Sequence, residues 1–347
     1  MVKQIVVVPK FQKFRTCYVG KTTPAKTINI ANQDEAVSGT ITAPTDFWLI
    51  HPITGEKIKM YDFELDKVAR GFIFGGHSTT SISDVDSYNA TTDTWVSKTP
   101  MSVASYNTTA SAVGDNAYVM SRWVSANTCF RYSVISDSWA TMTSITRLAN
   151  NRCSSAINNN VYVYGGDNSG TARDWCDEYL ISGNSWSTKT DMNAARYRAS
   201  ASTLNSKGYV FGGQLGGGIY STCQEYNVIG DSWSNRTGMP SPGRIQATSF
   251  AINDKGYLCG GNYAGELQDC DEYDAIGDSW LNKTNMPTPA RRNLASSTIA
   301  DKGYIYGGTI PGTQTQDCDE YNNVSDSWSN KTDMPSPGRS LLSASTL

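Results

Sequence analysis

Six tryptophans recur at a nearly constant interval: Trp95, Trp139, Trp186, Trp233, Trp280 and Trp328, spaced 44, 47, 47, 47 and 48 residues apart. A tyrosine stands seven residues before each: Tyr88, Tyr132, Tyr179, Tyr226, Tyr273 and Tyr321. A period of this length marks a chain built from repeated supersecondary units. No such unit can bury its apolar face alone, so the units must stack on one another.

The interior of each repeat reads as short strands. Gly71-Phe-Ile-Phe-Gly-Gly76, Val161-Tyr-Val-Tyr-Gly-Gly166, Gly208-Tyr-Val-Phe-Gly-Gly213, Gly256-Tyr-Leu-Cys-Gly-Gly261 and Gly303-Tyr-Ile-Tyr-Gly-Gly308 are apolar runs that end in a glycine pair. β-branched and aromatic runs with such punctuation predict strands with tight exits. The later repeats continue into Met239-Pro-Ser-Pro-Gly-Arg244, Met286-Pro-Thr-Pro-Ala-Arg291 and Met334-Pro-Ser-Pro-Gly-Arg339. A strand rich in small residues, such as Ala247-Thr-Ser-Phe-Ala-Ile252, leads on to the next glycine pair. Four short strands in about 47 residues is the size of one propeller blade. The fold class is therefore expected to be all-β.

Gly-Gly, then Tyr, then Trp, then a Met-Pro-Arg turn resembles the kelch repeat over about residues 70–347. The resemblance implies a ring of four-stranded antiparallel blades. Repeat 2 departs from the pattern, with Met120-Ser121-Arg122 where the glycine pair belongs, and the first two repeats lack the Pro-Arg turn. The first repeat also opens at its second strand, whereas the last residues, Arg339-Ser-Leu-Leu-Ser-Ala-Ser-Thr-Leu347, match a first strand. Six tryptophans thus predict six blades, closed when the C-terminal strand completes the first. Closure removes the open sheet edges that invite aggregation. The repeated Tyr and Trp are expected in the core, as blades cover one another on both faces.

Residues 1–69 fall outside the repeat. Gln4–Val8, Thr27–Ile30, Thr40–Ala43 and Phe47–Ile50 have strand character, so this segment reads as a small β domain with an anchoring or assembly role. It is net basic, while the remainder is net acidic.

Composition narrows the function classes. Charged residues are only 18% and the formal net charge is −3, with no basic stripe, so nucleic acid is not an expected partner. No apolar run approaches the ~20 residues that span a membrane. The apolar stretch after Met1 is too short for a secretory signal, which favours assembly in a cytoplasm. Cys129, Cys176, Cys223, Cys270 and Cys318 each lie three residues before a repeat tyrosine, with Val85 in that place in repeat 1. Equivalent sites in different blades lie beyond the ~7 Å Cα limit for a disulfide, so these cysteines are expected to be reduced and core-filling. Only two histidines, His51 and His77, occur, and Gly20-Lys21-Thr22 lacks the earlier glycine of a phosphate loop. No metal, cofactor or catalytic set is expected. The sequons at Asn235, Asn282 and Asn330 read as exposed asparagines on an outer strand.

Alternating strand direction places the 2–3 loops and the 4–1 turns on one face. Arg196, Arg244, Arg291 and Arg339 belong to those turns, and in the kelch family such arginines line a central pocket for acidic peptides. Guanidiniums suit bidentate recognition of carboxylates. The alternative is a blade-to-blade pair with Glu225, Glu272 or Glu320. Trp123, Tyr220 and Tyr263 fall in variable 2–3 loops outside the repeat pattern, where aromatics suit stacking on sugar or protein surfaces. These seven residues are the candidate binding site.

The leading functional expectation is a non-enzymatic binding or adhesion module whose residues 1–69 contact a larger assembly. The charge-poor surface and closely similar copies resemble fibre or decoration proteins of tailed bacterial viruses, which implies display on a virion surface and a host-surface glycan or protein as ligand. An intracellular kelch scaffold for acidic peptides is the second class. An acidic-sugar epimerase is the third, with no acid–base pair placed on the pocket face.

Overall fold

The structure, a computed structural model, describes residues 48–50, 57–59, 69–121 and 128–347. The chain divides into two compact units, Met1–Val68 and Ala69–Leu347. In the first, Trp48–Ile50 pairs antiparallel with Lys57–Lys59. The former matches the expected Phe47–Ile50 strand; the other three expected strands lie outside the described residues.

The second unit is a six-bladed β-propeller, each blade one four-stranded antiparallel sheet. Blade 4 is representative: Ser200–Leu204, Lys207–Phe211, Cys223–Asn227 and Ser232–Arg236, running from the innermost strand outwards. The innermost strands of blades 2 to 6 are Thr109–Val113, Cys153–Ile157, Ser200–Leu204, Thr248–Ile252 and Ala295–Ile299. Blade 1 takes its innermost strand from the other end of the chain. Ser343–Thr346 pairs with Gly71–His77, in register Phe72↔Ser345 and Phe74↔Ser343, so the C-terminus closes the ring. Each innermost strand neighbours the next in a complete circuit.

The innermost strands are rich in Ser, Thr and Ala because hydroxyls join adjacent blades there. Thr109 and Ser154 hydroxyls meet at 2.6 Å, Ser202 donates to Ser249 at 3.0 Å and Thr346 donates to the Thr298 carbonyl at 2.6 Å. Small residues are needed where six strands converge on one axis.

Tyr and Trp do their work further out. Every repeat tyrosine is fully buried and donates its hydroxyl to the residue five positions on: Asp93, Asp137, Asn184, Asp231, Asp278 or Asp326, at 2.6–2.7 Å. Those acceptors have φ between 43° and 52°, a left-handed turn that Asp and Asn tolerate better than most residues. The same side-chain oxygen accepts a backbone N–H from a threonine of the adjacent blade, as Thr237 gives to Asp278 at 2.9 Å. The tryptophan two residues later donates its indole N–H to that threonine's carbonyl, Trp280 to Thr237 at 2.8 Å. The Asp-Ser-Trp spacing is therefore a two-pronged clamp on the neighbouring blade, and it operates at all six junctions. This corrects the expectation of a core tryptophan. Only Trp233 is buried; the other five are half-buried, because an indole that reaches across a junction keeps one edge in solvent.

The cysteines are also corrected at one position. Cys129, Cys176, Cys223 and Cys318 are buried and free. Cys270 instead forms a disulfide with Cys259, directly opposite on the adjoining strand with Cα atoms 4.2 Å apart. Comparing equivalent cysteines between blades overlooks a second cysteine within one blade.

Two outcomes test this architecture. Deleting Ser340–Leu347 removes the innermost strand of blade 1 and should lower the melting temperature steeply or cause aggregation; a truncated chain that melts like the intact one contradicts closure. The second concerns acid. Burial raises the clamp carboxyls Asp93, Asp137, Asp231, Asp278 and Asp326, but hydrogen bonds from the tyrosine and threonine outweigh it and hold them below the ordinary range. A lowered acid contributes stability above its unfolded value of about 4, and that stability is lost as pH falls through the folded value. Asn184 shows that a carboxamide fills the same role. Changing the five aspartates to asparagine should therefore reduce the loss of melting temperature between pH 5 and pH 3.

Candidate functional site

The glycine pairs and the 4–1 turns meet on one face, as their order in the repeat requires. In blade 4, Gly212 and Gly213 have φ of 62° and 91°, and a Cβ on Gly212 would stand 2.4 Å from the carbonyl oxygen of Arg244. Only glycine permits that approach. It lets the Gly213 N–H donate to the Arg244 carbonyl at 3.0 Å, joining blade 4 to the turn that feeds blade 5. Gly166 to Arg196, Gly261 to Arg291 and Gly308 to Arg339 repeat this bond at 2.9 Å.

The arginine side chains reach the opposite way, into the blade that follows. Arg244 binds the Asp271 carboxylate and, at 3.1 Å, the Asp269 carbonyl. Arg291 binds Asp319 and Arg339 binds Asp86, the latter at 2.5 Å. Arg196 donates to the carbonyls of Gly212 at 2.9 Å and Thr222 at 3.3 Å. All four are at most 2% exposed. The expectation that Arg196, Arg244, Arg291 and Arg339 line an open pocket is therefore corrected: the turn backbone sits on the anticipated face, but the guanidiniums are sealed inside blade junctions. The alternative partner also differs from the expected one. Arg244, Arg291 and Arg339 take an aspartate two residues before a repeat tyrosine, while Glu225, Glu272 and Glu320 serve lysines and strand tyrosines. Glu225 receives Lys207 at 2.7 Å and Tyr209 at 2.6 Å, for example.

The expected aromatics separate. Tyr263 is 49% exposed on the 2–3 loop of blade 5. Tyr220 is half-buried, with its ring 5.2 Å from the Arg196 guanidinium. Trp123 lies outside the described residues. Trp175 packs beside guanidiniums of Arg147 and Arg173, 5.3 and 5.0 Å from its ring centre.

What surrounds the axis on this face is a different set, two residues after each turn position. Asn107, Asn151, Arg198, Gln246, Asn293 and Leu341 all have left-handed backbones, φ 53–57°. They are joined blade to blade by backbone hydrogen bonds: Asn107 to Leu341, Leu341 to Asn293, Asn293 to Gln246, Gln246 to Arg198 and Arg198 to Asn151, at 2.9–3.0 Å. Each bond spans a blade junction, which holds in place a conformation that costs Arg, Gln or Leu roughly 1–2 kcal/mol. All six line a concavity of ≈ 470 Å³, open to solvent, at the mouth of the central channel.

The chemistry of this mouth is carboxamide and cation. Asn151 spends its amide on Asp167 at 2.7 Å, and Asn293 spends its own on Thr309 at 3.3 Å. Arg152, also in the lining, is held by Asp177 at 2.6 Å. The side chains of Asn107 and Gln246 make no hydrogen bond among the described residues, and Arg198 has no carboxylate partner there, only the ring of Tyr197 at 5.5 Å. Among the described residues, no carboxylate lines the concavity. Reading along the chain misses these residues because they share no residue type. The signal was positional: they lie two residues beyond each turn arginine or its equivalent, at the repeat period.

The buried pairs provide a test. Arg291→Met leaves the Asp319 carboxylate buried and unpaired and should cost about 3–5 kcal/mol in chemical denaturation. Adding Asp319→Leu should recover most of that loss, while a single variant as stable as the parent would show that the pair does not join turn to blade.

Residues 107–308, more than half of the chain, match the family model described as KLHDC2/KLHL20/DRC7 Kelch-repeats domain. A solved structure titled "Structure of YjhT" superposes with a TM-score of 0.61, covering 70% of this chain and 87% of that one. At 17% identity, this likeness shows the fold alone. No curated protein matches the sequence. No helix among the described residues is long and apolar enough to cross a membrane. The repeat signature, the six closed blades and the family match together establish that the chain belongs to the kelch-repeat family.

Proposed function

We propose that this propeller is a non-enzymatic recognition module that takes a hydroxyl-rich ligand bearing one acidic group, an acidic glycan, at the mouth of its central channel. The observation that carries this reading is the set of unspent groups on a rigid ring: the amides of Asn107 and Gln246 and the guanidinium of Arg198. Carboxamides pair with adjacent hydroxyls as donor and acceptor at once, and a lone arginine suits a single carboxylate. The exposed Tyr263 supplies a stacking surface on the same face.

Two features support binding over catalysis and over the acidic-peptide reading. Among the described residues the mouth lining has no carboxylate, so the acid–base pair of an epimerase has no candidate among them. A strongly acidic peptide calls for several free cations, but Arg152 is already neutralised and the turn arginines are buried. Residues 1–69 would then attach the propeller to a larger assembly, of which display on a virion surface is the form suggested by resemblance.

The test is a glycan array with the intact chain beside Arg198→Gln and Gln246→Ala. Glutamine already occupies the same backbone conformation at position 246, so Arg198→Gln should leave melting unchanged. A charge-assisted hydrogen bond contributes ~1.5–3 kcal/mol, so binding to acidic glycans should weaken by roughly 10- to 150-fold, and parent binding should weaken with added salt. Unchanged binding by the Arg198→Gln variant, or binding confined to acidic peptides, would overturn this reading.

A further inference from the structure

The buried arginine–aspartate pairs form an internal series in which each blade can be checked against the others. The position two residues before the repeat tyrosine holds Asp86, Phe130, Asp177, Gln224, Asp271 and Asp319 in blades 1 to 6. The turn positions feeding those blades hold Arg339, Ser105, Ala149, Arg196, Arg244 and Arg291. Blades 1, 5 and 6 carry both charges, joined in an ion pair. Blade 2 carries neither. Blade 3 lacks the turn arginine, but its Asp177 is paired with Arg147 at 2.7 Å and Arg152 at 2.6 Å. Only blade 4 is unbalanced: Arg196 keeps the charge, and its carboxylate is replaced by Gln224.

The blade 4 site is as closed to solvent as its charged counterparts in blades 1, 5 and 6. Arg196 is 1% exposed and Gln224 2%. Gln224 turns its amide to Asn235 on the outer strand, with Nε2 to Oδ1 at 3.2 Å, and its buried Oε1 accepts no hydrogen bond. The Arg196 Nη1 is satisfied by two carbonyls, but Nη2, the atom that grips the carboxylate in blades 1, 5 and 6, has no partner among the described residues. The thiols of Cys153 and Cys223 lie near enough to interact with the charge, yet burial pushes both well up, Cys153 to about 12, so neither supplies an anion at neutral pH. Tyr220 covers the guanidinium, with its ring centre 5.2 Å away. A buried, uncompensated cation is strongly unfavourable.

We infer that Arg196, Gln224 and the covering Tyr220 form a binding site for a small monovalent inorganic anion, of the size of chloride, which stands in for the missing aspartate of blade 4. The site is separate from the channel mouth, where Arg198 points to a different ligand, and it does not depend on that proposal. Its bound anion would join the turn after blade 3 to blade 4, as the carboxylates do elsewhere in the ring. The half-buried Tyr220, on a loop, gives the ion a route in.

The experiment is thermal melting of the full chain in sodium chloride, sodium bromide and sodium gluconate at equal ionic strength, with Gln224→Asp and Arg196→Met alongside. An ion that binds only the folded state raises its melting point with concentration. Chloride and bromide should raise the parent melting temperature by roughly 2–4 °C over gluconate, whose anion is too large to enter. Gln224→Asp supplies the carboxylate and should melt higher in gluconate than the parent, with the halide effect gone. Arg196→Met should also lose the halide effect, and it carries the test if Gln224→Asp does not fold. A parent chain indifferent to the anion, or a Gln224→Asp or Arg196→Met variant that keeps the full halide response, would overturn the inference.

Discussion

Five of the six blades of this propeller, all but blade 2, are tied by a glycine to the turn of their neighbour. A glycine N–H donates to the carbonyl of the next turn, and the turn residue's side chain reaches on into the following blade. One residue such as Arg244 is thereby fastened on two sides, by its backbone to blade 4 and by its guanidinium to blade 5. The glycine pair is the steric condition for this bond, because a Cβ on Gly212 would collide with that carbonyl. A four-stranded sheet cannot bury both faces alone, so the junctions, rather than the sheets, decide whether the ring exists.

Three concentric sets of contacts act at the blade junctions, the innermost and outermost at all six and the buried ion pair at those of blades 1, 5 and 6, and each explains a different part of the repeat. Hydroxyls of the innermost strands bond near the axis, which accounts for the Ser, Thr and Ala there. The turn and its buried ion pair act at intermediate radius. The Tyr-Asp-Trp clamp holds the outer strands through one threonine backbone unit. The buried ion pairs are worth less than their short contacts suggest, since desolvation offsets much of the Coulombic attraction. Their main consequence is specificity: once one charge is buried, the absence of the other is costly. Blade 2, which has lost both charges, and blade 4, which has lost one, are physically different cases.

The functional surface follows from the same junctions. The backbone bonds that link successive blades hold six residues in left-handed conformations around the channel mouth. Because backbone atoms make those bonds, the ring does not require one side-chain type, and the six differ: Asn, Asn, Arg, Gln, Asn and Leu. Strained backbone at a concave, variable, polar surface fits a site built for recognition.

The sequence alone determined the repeat, the number of blades, the strand character within each and the closure by the C-terminal strand. Those features rest on local patterning and a fixed period, and patterning survives in one dimension. It also showed which face carries the turns, because antiparallel strands must alternate in direction. Only the tertiary structure decided where the turn arginines point. Arg196 and Arg198 lie two residues apart, yet one guanidinium is buried in a blade and the other lines the mouth. That outcome turns on the partners the following blade supplies: carbonyls of Gly212 and Thr222 for Arg196, and an aspartate 27 residues away for Arg244 and 253 for Arg339. The half-exposed clamp tryptophans and the Cys259–Cys270 bond were hidden for the same reason. Each depends on what stands across a strand or a junction, and distance along the chain carries no record of that.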